Sequence, residues 1–301
     1  MAKLLRLARA QFLIASLPIY VLGALWAILL GAHASLTPLL LGYLVILFAQ
    51  LSISFSNDFF DVEVDKLGSP TLFSGGSRIL VENPALRKPA MWIAVTLNIF
   101  SMVVGILLLI KYSFPIWFMG FIMAVNLVGW LYSAPPFKLA YRGVGELLTA
   151  FSLGFLVPVI GYLVARGYLN DKGLLFTIPL VLYALATILL VEIPDMEADR
   201  LGQKRTWVAQ KGRRFGFTAI GLLLFIATGC LSLIPMIYQL PLPLNFRLLQ
   251  IFSLLPLGAG ILGVIKRPTD RSAAIRLMNT IIGALAVFFV LTDIVLIIAA
   301  T

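Results

Sequence analysis

PLLLGYLVILFAQLSISFS, residues 38–56, runs without a break into Asn57-Asp58-Phe59-Phe60-Asp61-Val62-Glu63-Val64-Asp65. The apolar part carries no charge. Wound as a helix at 1.5 Å per residue, it nearly matches a hydrocarbon core of about 30 Å. Similar runs recur near 12–31, 91–110, 115–132, 147–165, 174–192, 216–237, 248–265 and 279–299. Backbone groups in lipid must bond within their own segment, and these runs lack the alternation of a barrel strand. The expected class is therefore an all-α integral membrane protein with about nine transmembrane helices, forming a single domain over residues 1–301. Composition agrees: 61% of residues are hydrophobic and 12% charged, and a soluble domain carries about twice that charged share.

In a soluble protein the net charge of +10 would suggest a nucleic-acid partner; here placement explains it without one. Nine spans put Lys3, Arg6, Arg9, Lys66, Arg78, Arg87, Lys88, Lys138, Arg142, Arg200, Lys204, Arg205, Lys211, Arg213, Arg214, Lys266, Arg267, Arg271 and Arg276 on one side. Only Lys111, Arg166, Lys172 and Arg247 fall on the other, so 19 of the 23 cations share a face. The positive-inside rule makes that face cytoplasmic, with the N-terminus inside and the C-terminus outside. The expected location is the cell membrane, with membrane lipid as the surroundings. The first apolar run is too long for a signal-peptide core and eight more follow, so it reads as a span. Cys230 lies within a span and His33 in a short outer loop, which leaves no disulfide and no histidine metal site.

Eleven of the thirteen acids lie on the basic side, eight of them in two clusters. The first is the run quoted above; the second is Glu192-Ile193-Pro194-Asp195-Met196-Glu197-Ala198-Asp199, after the sixth span. On a helix Asp58, Asp61 and Asp65 (i, i+3, i+7) share one face, as do Asp195 and Asp199 (i, i+4). Like charges so spaced repel, and more so beside a low-dielectric boundary, so a cation is expected between the rows. Magnesium suits oxygen ligands and commonly joins carboxylates to substrate phosphates. Lys66 and Arg78 follow the first row; Arg200, Lys204 and Arg205 follow the second, and such side chains hold phosphate oxygens. Acids at helix ends are often only a solvated face. Two clusters on one side, each closing a span, favour a diphosphate site.

At these residues the chain resembles the UbiA superfamily of membrane prenyltransferases. Asn57, Asp58, Asp61 and Asp65 match its Asn-Asp-x-x-Asp-x-x-x-Asp motif, and Asp195 and Asp199 its Asp-x-x-x-Asp motif. Gly202-Gln203-Lys204-Arg205-Thr206 is similar to the Gly-Lys-Arg-Thr stretch that follows. Arg9-Ala10-Gln11-Phe12-Leu13, Phe73-Ser74-Gly75-Gly76-Ser77-Arg78, and Tyr132-Ser133-Ala134-Pro135-Pro136 with Tyr141-Arg142-Gly143-Val144-Gly145-Glu146 resemble the menaquinone-type, dihydroxynaphthoate-prenylating branch. One departure is Val191-Glu192, where that branch often has Asn-Asn.

The resemblance implies helices around a central cavity with cytoplasmic cap loops, and transfer from a polyprenyl diphosphate to an aromatic acceptor. It implies catalytic roles for Asn57, Asp58, Asp61, Asp65, Asp195 and Asp199. Asp58, Asp61, Asp195 and Asp199 would hold Mg²⁺, and Arg78, Lys138, Arg142, Lys204 and Arg205 the diphosphate. Phe59, Phe60, Tyr132 and Tyr141 are placed to steady an allylic cation or to anchor at the interface. Glu146 is spaced to pair with Arg142 (i, i+4). The loops at 66–90 and 200–215 have room for a short helix each and for closure, with Gly75-Gly76 giving backbone freedom. Gln50, Asn98, Asn126 and Asp293 are the polar residues within spans, Asp293 reaching the outer interface. A transporter would place its charges mid-membrane instead.

Overall fold

The computed structural model describes residues 6–238 and 244–300; Lys3, counted above among the inner cations, lies outside them. Among the described residues eight helices are long and apolar enough to span, and Phe118–Ser133 is a shorter apolar helix of 16 residues. Together they cover the nine expected runs. In chain order α1 is Ala10–Leu29, α2 Leu36–Phe60, α3 Val62–Asp65, α4 Ile79–Glu82, α5 Arg87–Lys111 and α6 Phe118–Ser133. α7 (Gly145–Phe151) continues through a π-turn at Ser152–Leu156 into α8 (Val157–Arg166). Then follow α9 (Asp171–Glu192), α10 (Met196–Leu201), α11 (Trp207–Lys211), α12 (Arg213–Tyr238), α13 (Phe246–Lys266) and α14 (Arg271–Ala300).

α14 starts eight residues before the expected 279. The Asp270 carboxylate accepts the Ala273 N–H (2.8 Å) and caps the helix before the apolar run begins. In its first turn Arg271 donates to the Ser69 and Pro194 carbonyls. The two expected loop helices are α4 and α11.

The spans close into a ring. α2 packs on α5 and α6, α1 on α8, α9 on α12, α12 through α14 follow one another, and α14 returns to α1. In lipid, apolar burial does little to drive helices together, so close approach and polar contacts matter more. A Cβ on Gly23 would sit 1.9 Å from the Pro158 carbonyl oxygen, and one on Gly161 2.3 Å from that of Tyr20. The α1 and α8 backbones therefore touch. Asn126 donates to Ser101 (2.9 Å) and accepts from Asn98 (3.1 Å), while Ser101 donates to the Val45 carbonyl (2.9 Å), joining α6, α5 and α2. Gln50 accepts from Ser16 (2.7 Å), joining α2 to α1. Thus Gln50, Asn98 and Asn126 serve helix packing.

Asp293 departs from expectation. It is only 9% exposed, its face of α14 being covered along with Thr292 and Leu296, and among the described residues its Oδ1 has no partner.

The two ends of the ring differ. At one, Arg166 donates to the Leu30 carbonyl and Trp26 to that of Lys172. At the other, Arg9, Lys204, Arg213 and Arg271 make contacts that gather both acid clusters.

Candidate active site

α2 ends at Phe60, and Asp61 (φ −94°, ψ 7°) breaks the helix before α3. The phase survives the break: the Asp61 N–H donates to the Asn57 carbonyl (2.8 Å) and the Asp65 N–H to that of Asp61 (2.9 Å). Asp58 is buried, taking Arg9 on Oδ1 and the Ser77 hydroxyl and N–H on Oδ2. Asp61, also buried, accepts Tyr141 (2.9 Å) on Oδ1 and both Ser133 and Lys204 (3.2 Å each) on Oδ2.

The second row forms where α9 unwinds at Pro194 and re-enters a helix at Met196. The Asp199 N–H donates to the Asp195 carbonyl (2.8 Å), so the i, i+4 turn is intact. Asp195 accepts the Gly75 N–H (2.9 Å). Asp199 accepts the Thr206 hydroxyl (3.0 Å), while Thr206 itself caps α11 through the Ala209 N–H.

One strand of backbone joins the rows. Ser77 reaches Asp58 in the first and Gly75 reaches Asp195 in the second. Only glycine permits the route: Gly75 has φ +80°, Gly76 has φ +66°, and a Cβ on Gly76 would stand 2.0 Å from the Asp65 Oδ2. The pair was expected to loosen a closing loop. The structure instead uses it to bring the backbone against the carboxylates.

Lys204 is the second link, its backbone N–H donating to the Asp199 carbonyl (2.8 Å) while its side chain reaches the first row. Its ammonium contacts Asp61 and lies 5.5 Å and 5.7 Å from the Tyr132 and Tyr141 ring centres. Burial opposes its charge, but Asp61, Tyr132 and Asp199 outweigh that and hold its pKa well above the usual lysine value. Burial pushes Asp65 up to about 7 and Asp199 up to about 6, and raises Asp195 despite the donors from Ser74 and Gly75. Arg9 stays charged beside Asp58 and Asp65, which overcome its burial.

Of the five cations assigned to the diphosphate, Lys204 alone pairs with these carboxylates among the described residues. Arg78 donates to the Gly68 carbonyl (2.8 Å), Lys138 lies 5.1 Å over Tyr141, and Arg205 is exposed. Arg142 is turned to the Pro136 carbonyl (2.8 Å), so its expected pairing with Glu146 does not form. Glu146 is fully buried and accepts the Trp207 N–H (2.5 Å) instead. Lys66 pairs with Glu63 (2.6 Å), and Arg200 donates to the Ala209 carbonyl (2.5 Å). Phe59 and Phe60 pack on each other and Phe60 on Trp130, whereas Tyr132 and Tyr141 flank the buried ammonium.

Sequence reasoning gave Arg9 no site role. Its signal was a cation one residue ahead of the first span, on the acid-bearing side. The hydroxyls of Ser77, Ser133, Tyr141 and Thr206 were equally unassigned as carboxylate donors, since their partners are 7 to 80 residues away.

Among the described residues no three acidic, histidine or cysteine side chains converge closely enough to clasp a metal by themselves. The donor chemistry still suits a hard divalent cation: five carboxylates in two rows, with the buried Asn57 Oδ1 left without a partner among the described residues. Arg9 and Lys204 supply the positive charge between them. The chemistry of this donor set is that of a magnesium site.

A ring of long apolar helices with two aspartate rows gathered at one end defines an all-helical membrane protein with an acidic site at that end. Residues 20–292 match the UbiA prenyltransferase family, and the chain belongs to it. A 1,4-dihydroxy-2-naphthoate octaprenyltransferase of Bacillus subtilis (strain 168) is 26% identical over 184 residues, 60% of this chain and 58% of that relative. The match thus spans under two thirds of the relative's length. Among solved structures, a digeranylgeranylglyceryl phosphate synthase superposes with TM-score 0.69 at 18% identity, covering 98% of each chain. A UbiA homologue from Archaeoglobus fulgidus, bound to GPP and Mg²⁺, gives TM-score 0.65 at 18% identity, covering 98% of this chain and 99% of that one. These two likenesses establish the fold.

Proposed function

We propose that this prenyltransferase acts with Mg²⁺, moving a polyprenyl group from its diphosphate to an aromatic acceptor, 1,4-dihydroxy-2-naphthoate, in menaquinone synthesis. The observation that carries the reading is the double link between the aspartate rows, by residues 75–77 and by Lys204, whose backbone N–H meets the Asp199 carbonyl and whose ammonium meets Asp61. The naphthoate acceptor is favoured by the Bacillus relative and by the glycine-serine stretch at 74–77. Residues 1–301 form one catalytic unit in the cell membrane, with the acid-bearing end on the cytoplasmic side.

The diphosphate lies between the rows. Bound magnesium supplies Lewis-acid stabilisation of the departing pyrophosphate. With Asp58, Asp61, Asp195 and Asp199 as the residues that would hold the ion, Lys204 and Arg9 would turn from Asp61 and Asp58 to phosphate oxygens and offset the charge that develops there. The Gly75 and Ser77 N–H groups hold Asp195 and Asp58 in place. Tyr132 and Tyr141, now flanking Lys204, present ring faces to the allylic cation, worth about 0.5–2 kcal/mol each. The cap formed by α4, α10 and α11 keeps water from that cation. The prenyl tail leaves between spans into lipid.

The test offers geranylgeranyl diphosphate and Mg²⁺ to purified protein with dihydroxynaphthoate, hydroxybenzoate, homogentisate and glycerophosphate acceptors in parallel. Prenylated naphthoquinol as the main product is expected, with Asp61→Asn and Asp195→Asn inactive though still folded. Preferred alkylation of a different acceptor would overturn the acceptor assignment, and undiminished turnover in both variants would overturn the site.

A further inference from the structure

Glu146 and Trp207 take no part in the transfer scheme above, yet they hold the segment that presents Lys204. That segment, residues 203–206, does not set its own shape. Gln203 stands at φ +58°, a left-handed backbone that a side chain disfavours. From there the chain runs to Lys204, whose ammonium meets Asp61 (3.2 Å), and to Thr206, whose hydroxyl meets Asp199 (3.0 Å). Among the described residues, the further hydrogen bonds that tie residues 203–211 to another part of the ring both come from Trp207.

Trp207 is gripped at two points. Its backbone N–H donates to Oε1 of the fully buried Glu146 (2.5 Å), and its indole N–H to the Gly143 carbonyl (3.0 Å). Gly143 takes φ +73°, and a Cβ there would stand 3.1 Å from the Arg205 carbonyl oxygen, so the two turns lie against each other. The stretch that grips Trp207 is also tied to the first aspartate row. Tyr141, two residues before Gly143, donates to Asp61 (2.9 Å), and a Cβ on Gly145 would meet the Tyr132 ring at 2.8 Å. Residues 141–146 thus hold Asp61 and the aromatic wall on one side and Trp207 on the other. Lys204 lies three residues before Trp207, a reach of about 10 Å at full extension. Displacement of Trp207 therefore moves the ammonium, and a misplacement of about 1 Å in a positioned group can cost about 10²-fold in rate.

We propose that Glu146 and Trp207 are positioning residues, a two-point latch that fixes the Lys204 ammonium against the diphosphate. The inference rests on the prenyl-transfer reading, in which Lys204 offsets charge on the leaving group. Neither residue touches substrate; each acts through Lys204. What the latch requires of Glu146 is an acceptor oxygen at the Trp207 N–H. A glutamine supplies that oxygen in the same place, and an alanine does not. Trp207 contributes a backbone N–H, which every substitution but proline keeps, and an indole N–H, which phenylalanine lacks.

A double-mutant cycle in the full-length protein tests this. It reads kcat for transfer from geranylgeranyl diphosphate in Glu146→Ala, in Lys204→Met and in the two combined. Glu146→Ala should lower kcat by about 10²-fold. Added to Lys204→Met it should cost less than about threefold further, because the group it positions is gone. Glu146→Gln should keep kcat within about fivefold of native. Trp207→Phe should lose about 2- to 10-fold, the factor carried by one net hydrogen bond. Loss of the same factor in both backgrounds would overturn the latch and leave the pair a role in the fold alone. So would native kcat in Glu146→Ala, or a Glu146→Gln no better than Glu146→Ala. If Glu146→Ala does not fold, Trp207→Phe enters the same cycle, and equal loss in both backgrounds, or none in either, overturns the proposal. Failure of the transfer reading looks different: native protein that binds the thiolodiphosphate analogue of geranylgeranyl diphosphate with Mg²⁺ yet alkylates no hydroxylated aromatic.

Discussion

Replacing Lys204 by Met removes the charge held against Asp61 while keeping most of the side chain's bulk. The ammonium stands 3.2 Å from the Asp61 Oδ2, with the lysine side chain 13% exposed and that of Asp61 10%. At an effective dielectric of about 20 that attraction is about 5 kcal/mol before desolvation is subtracted. Removing one partner of a buried pair costs about 3–5 kcal/mol, because the surviving charge is left uncompensated. Tyr141 and Ser133 still donate to Asp61, so the lower end of that range applies. Without Mg²⁺ the variant should therefore unfold at a clearly lower temperature than the native protein. With Mg²⁺ the gap should narrow, since the cation supplies the missing charge. Mg²⁺ bound only by the folded state stabilises by mass action, about 2.7 kcal/mol at a hundredfold excess over its Kd. Turnover should still fall by at least about 10²-fold, the usual scale for one donor to a developing anion. The assay is thermal unfolding in detergent across a Mg²⁺ titration, paired with transfer rates. A variant as stable as the native protein without Mg²⁺, or one that Mg²⁺ stabilises no more than it does the native protein, would refute the charge-bridge reasoning.

Gly76→Ala places a methyl group 2.0 Å from the Asp65 Oδ2 in a backbone with φ +66°, which costs about 1–2 kcal/mol from the left-handed conformation alone. Transfer should drop while an alanine at exposed Leu72 leaves it unchanged, and equal rates for the two would remove the cradle's role. Burial holds Asp65 near 7 and Asp199 near 6, so in the folded protein both take up protons at a higher pH than in the unfolded chain. The metal-free protein should thus gain stability as pH falls from 8 to 5, while Mg²⁺, competing with those protons, should bind more tightly as pH rises through 6 to 7. Calorimetric titration at several pH values that found Mg²⁺ affinity flat or falling across that window would contradict the assignment. With Cys230 replaced by Ala, a cysteine at Leu72 should react with an impermeant thiol reagent from the cytoplasm and one at Arg247 from outside. The reverse pattern would invert the topology.

The spans were legible because lipid imposes one local rule on every stretch of backbone: a run of some twenty apolar residues must wind into a helix whatever its neighbours are. The departures occur where that rule stops. The fourth span has only 16 residues, and the start of α14 is set by the Asp270 carboxylate rather than by hydropathy. The aspartates were legible for a similar reason, since spacing of three and four on a helix fixes a shared face without knowledge of the rest of the chain. What faces them was not. Arg9 meets Asp58 across 49 residues, Tyr141 meets Asp61 across 80, and Gly75 meets Asp195 across 120. Such contacts follow from the order of helices around the ring, which no local pattern encodes. Arg142 and Glu146 show the converse. Their i, i+4 spacing invites a pair, but a 3₁₀ turn at Leu139–Arg142 and the left-handed Gly143 separate them before α7 begins. Glu146 is thereby freed to meet Trp207. A local rule holds only as far as the helix that supports it, so the chemistry of this site is decided at the helix ends.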